Sequence, residues 1–315
     1  MSYVSVVDIS ADPAAVGREL DEICRTAGFF QVTGHGVADG VAELAWTTAT
    51  RFFDLPLEDK LSVARPGPDY PYGYIPLAGE SLSQSVAGTA PPDLKEVFNA
   101  GPPARPARPF ADPGEAWAYS PSLWPAALPE LRVAWTAYYD AMRDFGNRLM
   151  SLFARGLELP PGFFAGQTGQ AANALRAINY PARDVDPLPG QLRAGAHTDY
   201  GTLTILRQDA VSGLEVLNPD GRWVGVEPVP GAFVINIGDL MARWTNDRWR
   251  STLHRVVDPP DTAARRQSMP YFQNANWSAE VSCLPTCLEP GEKPRYEPVL
   301  AGPHLMAKFR RSVSL

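Results

Sequence analysis

The stretch GAHTDYGTLTIL, residues 195–206, places His197 and Asp199 two positions apart in a segment that otherwise has the character of a strand. Side chains two apart on a strand point to the same face of the sheet and lie about 6–7 Å apart along the backbone. An imidazole and a carboxylate in this arrangement can bind one metal ion. The pair therefore raises the question of where a third ligand lies.

His254, in STLHRVV, is the best candidate for that ligand, because it lies on a later predicted strand of the same β unit. Two histidines and one carboxylate on one face of an octahedron form the facial triad that binds non-haem Fe(II) and leaves three positions for other ligands. The other two histidines are poorer candidates, since His35 belongs to a glycine turn and His304 lies near the predicted final helix. We expect both to be structural.

Arg266 and Ser268 begin the segment RQSMPYF, twelve residues beyond His254. They are two positions apart and so share one face of a predicted strand. A buried guanidinium binds a carboxylate with two hydrogen bonds, and a neighbouring hydroxyl can add another. This indicates an acidic ligand beside the metal. A position at the surface, in a charged turn, is the alternative for such an arginine, and it fits Arg265 better than Arg266. Arg266 is expected to point inward, because Ser268, Pro270 and Phe272 continue its inward alternation.

A β unit surrounds these residues. Short apolar-alternating segments punctuated by Gly, Pro and Asp begin at about residue 172, and Asp220-Gly221 between LEVL and WVGV is typical of a hairpin turn. The pattern predicts about seven or eight strands, closed or sandwiched so that their edges are covered.

Two helices are predicted in the first third of the chain, where helices should dominate. In DPAAVGRELDEICRTAG, Asp12 is the expected N-cap, Pro13 takes the first helical position and Gly28 ends the helix. FFQVTGHGV then predicts a strand that ends in a glycine turn. Residues 39–54 predict a second helix whose inward residues are Val41, Leu44, Thr48 and Phe52.

Two further segments precede the β unit. Residues 101–125 are rich in Pro and Ala, and they predict an extended loop that either covers a site or wraps the surface. From Pro129 to Gly156 apolar residues recur at spacings of four and three, which predicts one long core helix. These residues are Leu131, Trp135, Tyr138, Met142, Phe145, Leu149 and Leu152.

The composition of the 315 residues, 45% hydrophobic and 20% charged, is that of a folded globular protein. A formal charge of −7 without dense Lys/Arg clusters argues against nucleic acid or a membrane as partner and favours a small-molecule substrate. Without an apolar run of about 18 residues or a signal-like start, a cytoplasmic location is predicted. Cys24, Cys283 and Cys287 are expected to be reduced thiols. Nothing in the sequence indicates the oligomeric state.

Taken together, these segments resemble the Fe(II)/2-oxoglutarate-dependent oxygenases of the isopenicillin N synthase-like family. The resemblance covers nearly the whole chain, and H-x-D, a distal His and R-x-S in that order are its specific motifs. The segments that carry it are FFQVTGHGV, PPDLKEVFNAGP, HTDYGTLTIL, GAFVINIGDLMARWTNDRWRSTLHRVV and RQSMPYF.

The resemblance implies a mixed α and β fold with a β core. That core is a distorted double-stranded β-helix of the jelly-roll, cupin-like kind, flanked by N-terminal helices, a long central helix and a C-terminal helix. We expect one integrated domain with four regions. They are an N-terminal helical region (1–100), a loop and supporting helix (101–165), the catalytic β core (166–280) and a C-terminal strand and helix that close the pocket (281–315).

The resemblance also implies a dioxygenase that uses Fe(II), 2-oxoglutarate as cosubstrate and O2. It oxidises an unactivated C–H bond of a small molecule by hydroxylation, desaturation or cyclisation, and it releases succinate and CO2. His197, Asp199 and His254 would bind iron. Arg266 and Ser268, together with Tyr180 of INYP, would bind the distal carboxylate of 2-oxoglutarate.

Segments that approach the iron in relatives supply candidates for the substrate pocket. An amino acid, a peptide or a secondary metabolite is expected there. The candidate residues are Tyr72, Tyr74, Phe98, Phe272 and Asn274.

Three other functions remain open on the sequence. An iron oxidase like isopenicillin N synthase would use the same R-x-S pair without 2-oxoglutarate, and a requirement for 2-oxoglutarate with stoichiometric succinate would exclude it. A zinc hydrolase would share the three metal ligands but would lack an obvious general base and leave Arg266 unexplained. A non-catalytic binding protein would have lost a ligand, and none is lost.

Overall fold

The computed structural model describes residues 3–82, 91–183, 186–259, 261 and 264–313. The strands in these residues are β1 Ser5–Asp8, β2 Phe29–Thr33, β3 Gly73–Ile75, β4 Glu96–Ala100, β5 Ala174–Tyr180, β6 Ala194–His197, β7 Leu203–Gln208, β8 Leu214–Leu217, β9 Trp223–Gly225, β10 Phe233–Ile237, β11 His254–Val256, β12 Arg266–Gln273, β13 Glu280–Val281 and β14 Val299–Leu300. The α-helices are α1 Pro13–Thr26, α2 Asp39–Phe53, α3 Leu57–Leu61, α4 Pro113–Ala118, α5 Glu130–Gly156, α6 Ala165–Thr168, α7 Asp239–Trp244 and α8 Ala301–Val313, and Pro285–Cys287 form a 3₁₀ turn.

Two sheets form the centre of the molecule. The larger has the strand order β1-β2-β10-β7-β12-β5-β4-β3, and the smaller has the order β6-β11-β8-β9. All neighbours are antiparallel except β1 and β2, which run parallel. This is the expected double-stranded β-helix, and its eight strands from β5 to β12 agree with the seven or eight predicted.

The larger sheet is buried on both faces. Its inner face contributes Val97, Ile178 and Val234 to a cluster with Val216 and Val256 of the smaller sheet. Its outer face packs against the helices, chiefly α5, in the main hydrophobic core. Since side chains alternate along a strand, each residue of the larger sheet belongs either to the inner face or to the outer face.

Several predicted elements are confirmed. Asp12 caps α1 by accepting a hydrogen bond from Ala15 N at 2.8 Å, and Gly28 follows the helix at φ +63°, where a Cβ would lie 2.0 Å from the Arg250 carbonyl oxygen. The long helix runs over Glu130–Gly156 with all seven predicted core residues buried. The hairpin at Asp220-Gly221 joins β8 to β9.

Three expectations need correction. Leu44 is 53% exposed, because α2 buries Ala45, Thr48, Ala49, Phe52 and Phe53 instead. The 101–125 segment is not loop throughout, since Asp112 caps the short helix α4. On β12 both faces are buried rather than one, because the strand is central in that sheet and α5 packs against its outer face. The division into four regions stays a prediction.

The remaining composition-based expectations concern cysteines and membranes. Cys24, Cys283 and Cys287 are free thiols, as predicted. Among the described residues, no helix has the combination of length and apolar character that crossing a bilayer requires.

Candidate active site

His197, Asp199 and His254 meet at the smaller sheet. β6 ends at His197 and β11 begins at His254, and antiparallel pairing places these two residues directly opposite each other. Their ring centroids lie 4.2 Å apart. Asp199 was predicted on the same strand as His197, but it lies two residues past the strand end, where the chain turns toward β7. The turn still brings its carboxylate back to both imidazoles.

Asp199 lies close enough to both histidines for one metal ion to bind between them. Asp199 Oδ1 lies 3.8 Å from His197 Nε2 and 3.9 Å from His254 Nε2. Two ligand atoms at about 2.1 Å from a shared ion are at most about 4.2 Å apart, so both distances are short enough. All three ligand atoms lie within 4.8 Å of one another, and this is the one such group in the described part of the chain.

Backbone carbonyls orient both imidazoles for metal binding. His197 Nδ1 lies 2.7 Å from Gly195 O, and His254 Nδ1 lies 3.1 Å from Thr252 O. A carbonyl only accepts, so each Nδ1 carries the proton and each Nε2 keeps a lone pair for a metal. Burial, followed by the neighbouring His254, lowers the pKa of His197 to about 3. The His197 imidazole is therefore neutral at pH 7, which is the form that binds metal.

Two side chains of the inner face hold the carboxylate of Asp199. Its Oδ2 accepts hydrogen bonds from Thr204 Oγ1 and from Asn236 Nδ2, the latter at 2.7 Å. Burial raises the pKa of Asp199, but the two imidazoles and these two hydrogen bonds outweigh burial and lower it. The carboxylate is therefore ionised, and its Oδ1 faces the histidines.

Arg266 begins β12 on the same inner face and is 1% exposed. Its Nε donates to Val211 O at 3.2 Å, and its Nη2 donates to Gln208 Oε1 at 3.0 Å. Buried Nη1 has no hydrogen-bond partner among the described residues, and neither has Gln208 Nε2. Leaving a buried donor unpaired costs about 1–3 kcal/mol of folding free energy. The unpaired donors of Arg266 and Gln208 are therefore suited to binding the carboxylate of a ligand.

Ser268 and Tyr180 flank Arg266 as the sequence predicts. Ser268 lies opposite Gln208 on β7, and Tyr180 lies opposite Arg266 on β5. The Arg266 guanidinium carbon lies 5.0 Å from the centre of the Tyr180 ring. Ser268 and Tyr180 are each 2% exposed. The structure thus brings all three predicted cosubstrate residues together.

Three of the predicted pocket residues lie away from the metal ligands. Tyr74 and Phe98 are cross-strand partners on the outer face, where they pack in the main hydrophobic core. Tyr72 donates a hydrogen bond from its hydroxyl to Ala118 O, and its ring lies against Gly101. Tyr72 and Tyr74 belong to the segment YPYGYIPLAGESLSQS, and its residues 83–85 lie outside the described residues.

Phe272 and Asn274 have different surroundings. Phe272 pairs with Thr204, whose hydroxyl binds Asp199, so its side chain lies on the inner face beside the metal ligands. Asn274 donates from Nδ2 to Ala172 O at 2.8 Å, and it lines a narrow crevice with Tyr200 and Gly201. The structure therefore places Phe272 next to the candidate metal centre and places Asn274 at its edge.

Sequence reasoning missed Thr204, Gln208 and Asn236. Asn236 is the one polar residue of β10, and Thr204 and Gln208 are polar residues at inward positions of β7. A lone polar residue within FVINI or LTIL was a usable signal, since buried polar groups normally have a structural or functional partner.

The C-terminal helix α8 is attached next to the metal ligands. Lys308 Nζ donates to Asp239 Oδ2 at 2.8 Å, and the same oxygen accepts from Thr198 Oγ1 at 3.3 Å. Thr198 lies between the two ligands His197 and Asp199. The remaining histidine with a described contact, His35, binds Gly231 O at 2.9 Å and packs on Phe233, which fits a structural role.

Comparison with known proteins gives the same assignment. Residues 172–275 match the model of the 2OG-Fe(II) oxygenase superfamily, and residues 4–127 match that of the non-haem dioxygenase in morphine synthesis N-terminal domain. A 2-oxoglutarate-Fe(II) type oxidoreductase of Emericella nidulans is 34% identical over 96% of this chain and 86% of that protein. A homoarginine-6-hydroxylase of Oryza sativa is 34% identical over 97% of this chain and 96% of that protein.

Solved structures agree. The crystal structure of a full-length Neurospora crassa protein in complex with alpha-KG (2-oxoglutarate) and thymine superposes with a TM-score of 0.85. It is 29% identical in sequence, and the superposition covers 97% of this chain and 96% of that chain. The chain therefore belongs to the 2OG-Fe(II) oxygenase superfamily and is a non-haem iron, 2-oxoglutarate-dependent dioxygenase.

Proposed function

We propose that His197, Asp199 and His254 bind the catalytic Fe(II), and that Arg266, Ser268 and Tyr180 bind the distal carboxylate of 2-oxoglutarate, with Gln208 as a further donor. The observation that carries this proposal is the convergence of the three metal-ligand atoms within 4.8 Å. The unpaired donors of Arg266 and Gln208 on the adjoining inner face support the second half.

The protein residues position the reactants. When bound, Fe(II) with 2-oxoglutarate and O2 supplies an oxidant that takes hydrogen from a C–H bond while the cosubstrate becomes succinate and CO2. The carbonyls of Gly195 and Thr252 fix the two imidazoles, and Thr204 and Asn236 fix the Asp199 carboxylate. Arg266 sets the depth of the cosubstrate by binding the end that does not react.

Burial completes the arrangement. The apolar residues between the sheets limit the access of water, which strengthens the charged hydrogen bonds of Arg266. The acidic composition supports a small molecule, rather than nucleic acid or a membrane, as the partner. The relatives' names support an amino acid or a comparable small molecule as substrate.

The assignment of Arg266 is tested by anaerobic titration of the metal-free protein with Fe(II) and 2-oxoglutarate. The chelate's charge-transfer absorption reports binding. Arg266→Ala should weaken 2-oxoglutarate binding by about 1.5–3 kcal/mol, because it removes charged hydrogen bonds. The exposed Arg222, paired with Asp220 on the surface, provides a matched control as Arg222→Ala.

An unchanged affinity in Arg266→Ala would remove Arg266 from its role. Turnover that consumes O2 without 2-oxoglutarate would instead favour an oxidase that uses Fe(II) alone.

A further inference from the structure

A second arginine lies on the inner face of the larger sheet. Arg176 is two residues before Ile178 on β5, and Ile178 packs between the two sheets, so Arg176 points to the same side. Its Nε donates to Oδ1 of Asn99, its cross-strand partner on β4, at 2.7 Å. Asn99 is in turn two residues beyond the inner-face residue Val97. Arg176 therefore faces the space that the metal ligands face.

A chain of hydrogen bonds connects Arg176 to the strand that carries His197. Arg176 Nη1 binds Glu80 Oε1 at 3.0 Å, and Lys95 Nζ binds the same oxygen at 3.1 Å. Lys95 also binds Asp93 Oδ2 at 2.7 Å. The other oxygen of Asp93 accepts from Gly195 N at 2.9 Å, two residues before His197. The charged groups thus border the candidate metal centre.

The distance across the sheet suits a small substrate. Thr204, which binds Asp199, lies opposite Phe272, and Phe272 lies opposite Ala174 on the strand of Arg176. Adjacent strands are about 4.8 Å apart, so β5 lies about 10 Å from the strand that carries Thr204. Arg176 therefore lies two strands from the residue that binds Asp199, a separation on the scale of a small molecule.

The charges around Arg176 do not balance. Arg65, Lys95 and Arg176 surround two carboxylates, those of Glu80 and Asp93, which leaves one positive charge in excess. Although burial raises the pKa of Glu80, the charges of Arg176, Lys95 and Arg65 outweigh it and lower that pKa to about 2. Residues 83–90, which follow Glu80 closely in sequence, contain no charged residue that could add an anion.

Of these side chains, those of Arg65, Arg176 and Glu80 are partly exposed, and those of Asp93 and Lys95 are buried. The Arg176 side chain is 21% exposed and that of Glu80 is 19% exposed, whereas Lys95 is fully buried. Buried charges require a partner. An anionic group on the substrate would supply the missing negative charge, and the guanidinium fork binds a carboxylate in a defined orientation.

We propose that Arg176 binds a carboxylate of the substrate, so that this enzyme oxidises small carboxylic acids of about amino-acid size. The inference rests on the proposed function of the metal centre and adds its substrate class. Asn99 is a positioning residue, because its Oδ1 accepts a hydrogen bond from Arg176 Nε and orients the guanidinium.

The first test uses a panel of free amino acids and short-chain carboxylic acids, each paired with its primary amide. Each compound is added anaerobically to the enzyme with Fe(II) and 2-oxoglutarate, and its binding is measured from the change in the charge-transfer absorption. Acids that bind should do so at least about tenfold more tightly than their amides. Equal binding by the amides, or no change with any acid, would overturn the proposal.

The second test uses substitutions at the cluster. Arg176→Gln should remove the preference for acids over amides, and Arg176→Lys, which keeps the charge, should retain part of it. Glu80→Gln removes a competing carboxylate and should maintain or increase the affinity for acids. If Glu80→Gln lowers that affinity as much as Arg176→Gln does, the ion pair is only structural and the proposal fails.

The affinity for 2-oxoglutarate separates this inference from the proposed function. Arg176→Gln should leave that affinity within about twofold of wild type, whereas Arg266→Ala should lower it. An Arg176→Gln protein that loses 2-oxoglutarate would place Arg176 in the cosubstrate site and contradict the inference. A wild-type enzyme that does not bind 2-oxoglutarate would instead contradict the proposed function.

Discussion

The two faces of the larger sheet differ in what their buried side chains do. The outer face packs apolar residues such as Phe98 and Ile205 against the helices, and its polar residues Glu96 and Asn179 bind each other. The inner face combines apolar residues with Thr204, Arg266 and Arg176, which bind the Asp199 carboxylate or hold charges near the metal ligands. A single sheet therefore separates two tasks: one face stabilises the fold, and the other positions reactive groups.

The separation has a thermodynamic reason. Unpaired donors and excess charge on the inner face reduce the stability of the folded protein, because burying polar groups without partners costs free energy. Apolar burial on the outer face offsets that cost at about 25 cal/mol per Å². The two faces can therefore be tested separately, since a change on one should leave the task of the other intact.

The largest effect is expected with His254→Ala, at the metal ligands that the inner face adjoins. The substitution removes one of three proposed metal ligands, so iron binding and succinate formation should both be lost. The fold should be maintained, because the His254 imidazole packs against its neighbours Phe29 and His197 and lies outside the main hydrophobic core. Iron content after reconstitution and 2-oxoglutarate turnover are the measurements.

His35→Ala is the matched histidine control, since His35 binds a backbone carbonyl away from the three ligands. It should retain iron. A His254→Ala protein that still binds one equivalent of iron would show that the facial triad is wrongly assigned.

The next effect is expected on the outer face with Leu149→Ala. Leu149 is fully buried in α5, and a leucine-to-alanine change in a core costs about 2–5 kcal/mol of unfolding free energy. Urea unfolding measures this loss. In the protein that remains folded, the affinity for 2-oxoglutarate should stay within about twofold of wild type. A parallel loss of affinity would mean that the two faces are energetically coupled.

The sequence predicts the outer face and the metal ligands better than the rest of the inner face. The long helix α5 was predictable because its apolar spacing continues over 27 residues, and the metal ligands were found because H-x-D and a distal His are chemically specific. Tyr74 and Phe98 were assigned to the pocket although they lie on the outer face. β3 and β4 are buried on both sides, so alternation gives no indication of which side faces the metal.

Arg176 was not predicted for a related reason. The segment ALRAINY reads as an ordinary strand, and a single arginine within it is compatible with a solvent-facing position. Only the pairing of β5 with β4 and β12 places that arginine on the inner face. The register between strands distant in sequence therefore determines which polar residues reach the site, and composition does not indicate it.

The smallest effect is expected at Gln208, the inner-face residue whose amide links to Arg266. Gln208→Leu removes one neutral donor and the acceptor of Arg266 Nη2, so 2-oxoglutarate binding should weaken by about 0.5–1.5 kcal/mol. Gln208→Glu keeps the shape and the acceptor but places a negative charge beside the cosubstrate carboxylate, and it should weaken binding further. The titration used for Arg266→Ala measures both. If Gln208→Glu binds 2-oxoglutarate as well as wild type does, the Gln208 amide does not face the carboxylate, and only Arg266, Ser268 and Tyr180 remain as its proposed ligands.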